Sequence, residues 1–528
     1  MKRLMIGLLL SFVLLGPAQA AEHFDAVVVG SGGGGLGAAT TLAGAGKKVL
    51  LLEQHDRFGG YMTAFERGDY RFEVSLHAMD GLTPEGHLYP FFKKYGVFDR
   101  VRFTRLDPLY RSIYPDRTLS VPADRKEYEK RLIAAFPHEK RGIERLFKKF
   151  VDIHRQSEIG QGTFSPSWAR RFWTYLGAPF RLTDLLAWMN RPLSALLDEY
   201  IDDPQAKGTI AQLWGYLGMP PERLSAVYFV SMWGSYHRHG GWYPIGGSQA
   251  ISDALAHYVA THGGVVRTNA RVTKIIVEEE RVRGVELADG TRYETDAVVS
   301  NASVPATIHQ LVGDEHWPEA YVAKIDKLEV SLSLAQLYLG IRDRSVLAPL
   351  AGTHSTFVNG SYDPMVEYRK MQDSDIDEMS YVMVDYGASD PGCAPAGGSV
   401  LVVTLPLQYD YQNRWRRDEG YDQYLALKQE VSDRLLDRVE KILPGLRGQI
   451  EVAEMGTPLT MERYTLNPQG AIYGFAMTPE QSLVKRVAIE TPIEGLYFAG
   501  AWTFPGAGQS ASLNSGHFAA ELILHKAE

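Results

Sequence analysis

Apolar residues follow two rhythms along this chain. In four places they run without interruption over a few positions: Ala26–Val29, Val49–Leu52, Ala297–Val299 and Leu496–Ala499. A short run of this kind reads as a strand of a parallel sheet, covered on both faces. Elsewhere the apolar positions recur at helical spacing. Ala38–Ala43, Gln249–Thr261 and Ala511–His525 read as helices. Ile143, Leu146, Phe147 and Phe150, with Arg145, Lys148 and Lys149 between them, predict a solvated amphipathic helix rather than a membrane anchor. The stretch 106–239 reads mostly as helical, whereas Leu334–Leu339 and Val400–Thr404 read as strands of a mixed sheet within 331–484. Gly263-Gly264 turns the chain into the run Val265–Val277, and Ala288-Asp289-Gly290 marks a hairpin after it.

The first residues follow neither rhythm. Met1-Lys2-Arg3 is a basic start, Leu4–Leu15 is almost wholly apolar, Gly16-Pro17 breaks the run, and Ala18-Gln19-Ala20 places small residues where a signal peptidase reads them. This order predicts a secretory leader over residues 1–20 and an exported protein, periplasmic or equivalent, with an uncleaved anchor as the alternative. The single cysteine, Cys393, excludes an intrachain disulfide and a thiolate zinc cluster. A net charge of -8 argues against general nucleic-acid binding, which needs a basic surface. With 528 residues, the chain is too long for one ordinary core.

The strand Ala26–Val29 runs into Gly30-Ser31-Gly32-Gly33-Gly34-Gly35 and then a helix. Gly30, Gly32 and Gly35 satisfy the dinucleotide fingerprint: one glycine for the tight turn, one for backbone approach to a pyrophosphate, one for helix packing. The helix N-terminus offers free N–H groups to the phosphates. The next strand ends in Glu53, an acid where a ribose hydroxyl needs its acceptor. Gln54 and Arg57 follow, and then the pair Gly59-Gly60, a glycine pair that an ordinary nicotinamide dehydrogenase does not have.

That acid, arginine and glycine pair resemble the flavoprotein superfamily of amine oxidases, phytoene desaturases, carotenoid isomerases and retinol saturases. The resemblance extends to residues 246–305, where relatives meet the adenine around Val272, and to the closing turn Gly500-Ala501 with Gly508-Gln509-Ser510. Arg463–Gly474 and Arg71–His77 point to the retinol saturase and carotenoid isomerase branch, with Ser75 where glycine is usual. The resemblance implies FAD and an α/β fold: a discontinuous Rossmann-type domain over 21–105, 240–330 and 485–528, and an α+β substrate domain with a mixed sheet and helical lid over 106–239 and 331–484. In relatives the glycine pair lies against the cofactor, and the last helix would face the flavin N1–C2=O edge or the pyrophosphate.

The implied chemistry is FAD-dependent redox at C=C or C–C bonds of a hydrophobic polyene or isoprenoid lipid: saturation, desaturation or isomerisation. A flavin amine oxidase, and a lipid or pigment carrier that retains FAD structurally, stay open as alternatives. No second G-x-G-x-x-G unit appears, which argues against bound NAD(P)H, and if the protein is exported a quinone or oxygen is the more accessible electron partner. His77 and Tyr473 are the candidates for proton transfer or substrate positioning. Trp168, Trp173, Trp188, Trp214, Trp233 and Trp242 suit either a hydrophobic tunnel or an ordinary aromatic core, and the aromatic and arginine mixture Phe172–Arg181 suits peripheral membrane contact. No metal site is expected, because His237-Arg238-His239 reads as a surface or loop pair.

Overall fold

A computed structural model describes residues 22–160, 176–178 and 180–526. The expected leader lies outside the described residues, as do Trp168, Trp173 and most of the Phe172–Phe180 segment.

The uninterrupted apolar runs form one sheet. Val265–Arg267, Val49–Leu52, Ala26–Val29, Val298–Ser300 and Leu496–Phe498 lie side by side in that order, every pair parallel. Alternation within each strand then sorts the side chains. Ala26, Val28, Val49 and Leu51 face the Gly33–Gly44 helix, and Val27, Val29, Leu50 and Leu52 face a second sheet on the other side. With both faces covered, no position in these two strands is left for a polar side chain.

The Gly33–Gly44 helix is built of small residues and has no apolar stripe, since Gly34–Ala43 are buried on all sides. The C-terminal helix Gln509–Lys526 crosses it so closely that a Cβ on Gly516 would lie 1.8 Å from the carbonyl oxygen of Gly34. This contact ties the end of the chain to its beginning.

The second sheet contains the expected hairpin, Arg281–Leu287 with Arg292–Glu294, flanked by Val272–Glu278 and by Glu22–His23. The run 265–277 is divided in two. Asn269 takes a left-handed φ of 52°, so Val265–Arg267 completes the parallel sheet and Val272–Glu278 enters the hairpin sheet.

A mixed sheet of seven strands carries the second half of the molecule. Its order is Ile450–Gly456, Ser333–Ile341, Ser399–Leu407, Tyr381–Asp385, Ser355–Val358, Tyr110–Ile113 and Thr118–Val121. Leu401, Val403 and Leu405 pack under the Tyr421–Glu440 helix, while Val400 and Val402 point into the main core. The stretch 106–239 therefore starts as a hairpin of this sheet and turns helical only after it. Phe103–Leu106 pairs with Gly241–Pro244 at the base of that insert.

Within the insert, helix Lys140–Gly160 buries Ile143, Leu146, Phe147 and Phe150. Phe147 and Phe150 meet Trp233 edge-on, each with 4.9 Å between ring centroids. Trp188, Trp214 and Trp233 thus belong to the core, and Trp214 also borders a cavity. Among the described residues, no helix is long and apolar enough to cross a membrane.

Candidate active site

One cavity of about 1220 Å³ runs from the glycine turn of the parallel sheet, under the mixed sheet, to the helical insert. Gly30, Gly32 and Gly33 form one end of its wall, and Gly59 and Gly60 stand beside them. Val272 enters from the hairpin sheet, and Gly500, Ala501, Gly508, Gln509 and Ser510 from the C-terminal turn. The three distant stretches singled out in the sequence converge there.

Glu53 lines the cavity and is 5% exposed. Its Oε2 accepts from the Ser31 amide at 2.8 Å and from the Ser31 hydroxyl at 2.6 Å, and its Oε1 accepts from the His55 amide at 3.0 Å. A carboxylate has about four acceptor sites, so Oε1 keeps one for a ribose hydroxyl. Ser31 itself is wholly buried, and its carbonyl and hydroxyl oxygens also accept from the Gly59 amide at 3.1 and 3.2 Å, so it ties the glycine turn both to Glu53 and to the glycine pair. Gly35 also stands behind the wall: a Cβ there would lie 1.9 Å from the Gly30 carbonyl oxygen, which makes it a helix-packing glycine. Arg57 turns away and donates to the Ala64 carbonyl at 2.6 Å. Ser31 and Arg57, both expected at the cofactor, stand outside the cavity wall and are held by these partners.

Asn301, at the end of the Val298–Ser300 strand, fills the space between the two glycine turns. Its amide would meet a Cβ on Gly32 at 2.6 Å, one on Gly34 at 2.5 Å and one on Gly500 at 2.6 Å. Gly500 also has φ of 94°, a conformation that side chains strain to adopt. The Gln509–Lys526 helix begins two residues earlier than the sequence pattern suggests, which puts Gln509 and Ser510 in its first turn. Gln509 Nε2 donates to Ser75 Oγ at 3.1 Å, and Ser75 donates to the Tyr61 carbonyl at 2.7 Å. Serine at position 75 thus links the glycine-pair segment to the C-terminal turn.

The candidates His77 and Tyr473 both line the cavity and are joined through a segment the sequence did not single out. His77 Nδ1 lies 3.2 Å from the Tyr216 hydroxyl, and the Tyr473 hydroxyl donates to the Gly215 carbonyl at 3.3 Å. Burial pulls the His77 imidazole down to about 4, so it is neutral near pH 7, and burial raises both tyrosines well above their ordinary range. The cluster can accept or relay a hydrogen bond but carries no charge at neutral pH.

Arg486 is a second residue without a local sequence signal. It is 5% exposed, and its guanidinium donates to the carbonyls of Phe475 at 2.8 Å, Tyr473 at 3.1 Å and Ala501. Burial lowers it to about 10. It clamps the Tyr473 segment to the C-terminal turn.

The pair His237 and His239 differs from expectation. Both lie on the Ala226–His239 helix and are buried, with His237 stacked on Tyr128 at 5.1 Å between ring centroids. They are not surface or loop residues.

These residues fit FAD. The glycines admit backbone to the cavity where a Cβ would obstruct, Glu53 retains an acceptor, and Gln509 Oε1 is buried without a hydrogen-bond partner. A parallel sheet with a glycine turn, a second glycine turn at a helix start and one long cavity between them define a dinucleotide-binding protein. Comparison with known proteins specifies it further. The chain belongs to the family described as flavin containing amine oxidoreductase, which it matches over residues 34–524; it is an oxidoreductase and its cofactor is FAD. It is 27% identical over 518 residues to the all-trans-retinol 13,14-reductase of Danio rerio, covering 92% of this chain and 83% of that one. It is 26% identical over 511 residues to the neurosporene-forming phytoene desaturase of Rhodobacter capsulatus, covering 94% and 93%. Among solved structures, wild-type putrescine oxidase bound to putrescine superposes with a TM-score of 0.61 at 16% identity, covering 95% and 99%, a likeness of fold.

Proposed function

We propose that the protein acts on C=C or C–C bonds of a hydrophobic polyene or isoprenoid lipid, by saturation, desaturation or isomerisation. The observation that carries this reading is the cavity. At about 1220 Å³ it exceeds the roughly 300–1,000 Å³ of an ordinary ligand pocket, so it has room beyond the cofactor. Away from the nucleotide end it is lined by residues such as Leu185, Met189, Met232, Leu334, Phe357 and Val382. The names of the retinol reductase and phytoene desaturase relatives support the same substrate class.

When bound, FAD supplies the two-electron step. The chain's own residues then hold and shield the substrate. The apolar walls exclude water, and His77, Tyr216 and Tyr473 offer hydrogen bonds without a charge that would have to be desolvated. Quinone or oxygen serves as electron partner in this proposal, reached after export from the cytoplasm. Peripheral membrane contact is supported by the apolar rim: Phe180 is 86% exposed, and Leu186 and Val484 are both exposed and cavity-lining.

An amine oxidase is the second reading, favoured by Asp80, Glu85 and Glu158 on the same cavity wall. Two of these acids already have partners. Asp80 accepts from the Ser510 hydroxyl at 2.8 Å, and Glu158 pairs with Arg238. Anaerobic electron exchange decides between the readings. The FAD-loaded protein should be bleached by a carotenoid or retinoid, or be reoxidised by one after photoreduction, or isomerise it as seen by chromatography. Bleaching by putrescine or cyclohexylamine, with no polyene converted, would overturn the proposal. Inertness of the folded, FAD-loaded protein toward both classes would favour the carrier.

A further inference from the structure

The helices Lys140–Gly160 and Ala226–His239 pack side by side. His154 and Glu158 lie one turn apart on the first helix and so share a face. That face lies tight against the second helix: a Cβ on Gly234 would be 2.4 Å from the His154 ring. His239, the last residue of the second helix, completes the group.

Three ligand-capable atoms point at one spot. Nε2 of His154 is 3.6 Å from Oε1 of Glu158, Nε2 of His239 is 3.9 Å from the same oxygen, and all three lie within 4.8 Å of one another. These separations are too long for hydrogen bonds. His154 is 7% exposed and neither of its ring nitrogens has a hydrogen-bond partner. Burying an unpaired polar group is unfavourable, so both helices are packed at a cost that a bound partner would offset.

The surroundings suit an ion. His239, 4% exposed, has its other nitrogen 2.5 Å from the Thr83 hydroxyl. With the imidazole N–H donating to Thr83, Nε2 presents its lone pair to the centre, the usual outer support of a metal-bound histidine. Glu158 gives Oε2 to Arg238, which leaves Oε1 free to bind through one oxygen. Asp80 adds negative charge felt by both imidazoles, opposed by the larger effect of the Arg238 guanidinium that pairs with Glu158.

We propose that His154, Glu158 and His239 form a binding site for a divalent transition-metal ion of the zinc class. Two imidazoles and one carboxylate suit zinc, whereas magnesium and calcium prefer oxygen ligands throughout. Bonds of roughly 2.0–2.2 Å place tetrahedral ligands about 3.3 Å apart, so the three side chains need only close by about an ångström. Glu158 and His154 line the large cavity, which gives the fourth coordination position to water or to an oxygen of a cavity ligand. The ion would pin the two helices together across that wall. The site has no sequence signature because its ligands come from separate helices. It stands independently of the substrate reading.

The test uses the FAD-loaded full chain, stripped with a chelator and dialysed against zinc chloride alone, with metal analysis and thermal melting. A single tightly held zinc per chain is expected, together with a rise in melting temperature. His239→Gln and Glu158→Gln should each weaken binding about 10-fold or more and abolish the rise, while FAD content stays unchanged. Cobalt in place of zinc should give the intense visible absorption of a four-coordinate site, lost in His239→Gln. Variants of His154, whose ring packs against Gly234 of the second helix, test helix packing as well as binding, so these two variants and the cobalt spectrum carry the result. Failure of the FAD-loaded protein to retain zinc would overturn the proposal. So would equal affinity in wild type and both variants, which would place the metal on surface groups such as His309 with Asp314 and Asp326.

Discussion

Glu53 and Ser31 are bound twice over, with one carboxylate oxygen accepting both the amide and the hydroxyl of the serine, at 2.8 and 2.6 Å. The pair stiffens the glycine turn from behind and aims the remaining acceptor site of Glu53 at the cavity. An acid-to-hydroxyl contact of this kind depends on the charge.

Glu53→Gln keeps the shape and removes the charge. Hydrogen bonds to a charged group contribute about 1.5–3 kcal/mol, so FAD affinity should fall roughly 10- to 100-fold. Flavin titration of the apoprotein measures it. Unchanged affinity would mean that Glu53 only supports the turn and does not meet the ribose.

How much of this site the sequence discloses depends on whether its signals are local. The glycine turn, the acid at the next strand end and the closing Gly500–Ser510 segment are each a few adjacent residues whose spacing has a mechanical reason, and all border one cavity. Arg57 shows the limit of such reading: proximity in sequence to Gly59-Gly60 suggests a cofactor contact, but the guanidinium finds the Ala64 carbonyl instead. Tyr216, Asn301 and Arg486 are single residues at the ends of short elements or in the turns that follow them. Their roles exist only after distant strands have come together, so no period or spacing announces them. The same holds for the fold: the strand runs disclose the parallel sheet, but the Tyr110–Val121 hairpin joins the far sheet through its pairing with Ser355–Val358, a contact with no local trace.

His77 and Tyr473 are separated by most of the chain yet flank one backbone step, Gly215-Tyr216. If they position substrate, His77→Gln and Tyr473→Phe should slow flavin electron exchange with a polyene by roughly 10²-fold, in the range of a lost acid–base group. FAD content and the flavin spectrum should stay as in wild type. Full rates in both variants would reduce these residues to packing.

Arg486 holds carbonyls from two segments, and no carboxylate shares its burial among the contacts described. Arg486→Gln is too short to reach both. It should leave buried carbonyls unpaired at about 1–3 kcal/mol each and loosen the C-terminal turn. Thermal melting and flavin release on gel filtration should both shift, the second more in the variant than in wild type. A stable variant that keeps its flavin would show the clamp to be dispensable.

Acid should destabilise the protein through its buried histidines. Burial lowers His237 to about 4 and His354 to about 3, against roughly 6.5 in an unfolded chain. Between pH 6.5 and about 4 the unfolded chain therefore binds protons that the folded chain refuses, so stability rises with pH and is lost on acidification. The slope approaches about 1.4 kcal/mol per pH unit for each such group. His237 stacks on Tyr128 and lies 4.4 Å from the Trp233 ring centre, an environment that accepts a neutral aromatic ring. His237 Nδ1 also lies 3.3 Å from the Ala123 carbonyl, so His237→Phe should flatten the dependence by one histidine's share while costing about 1–3 kcal/mol at pH 7 through the carbonyl left unpaired. Urea unfolding of the FAD-loaded wild type and variant at pH 7 and pH 5 gives the comparison. Parallel losses in the two proteins would show that His237 does not contribute, and a wild type equally stable at both values would refute the sign itself.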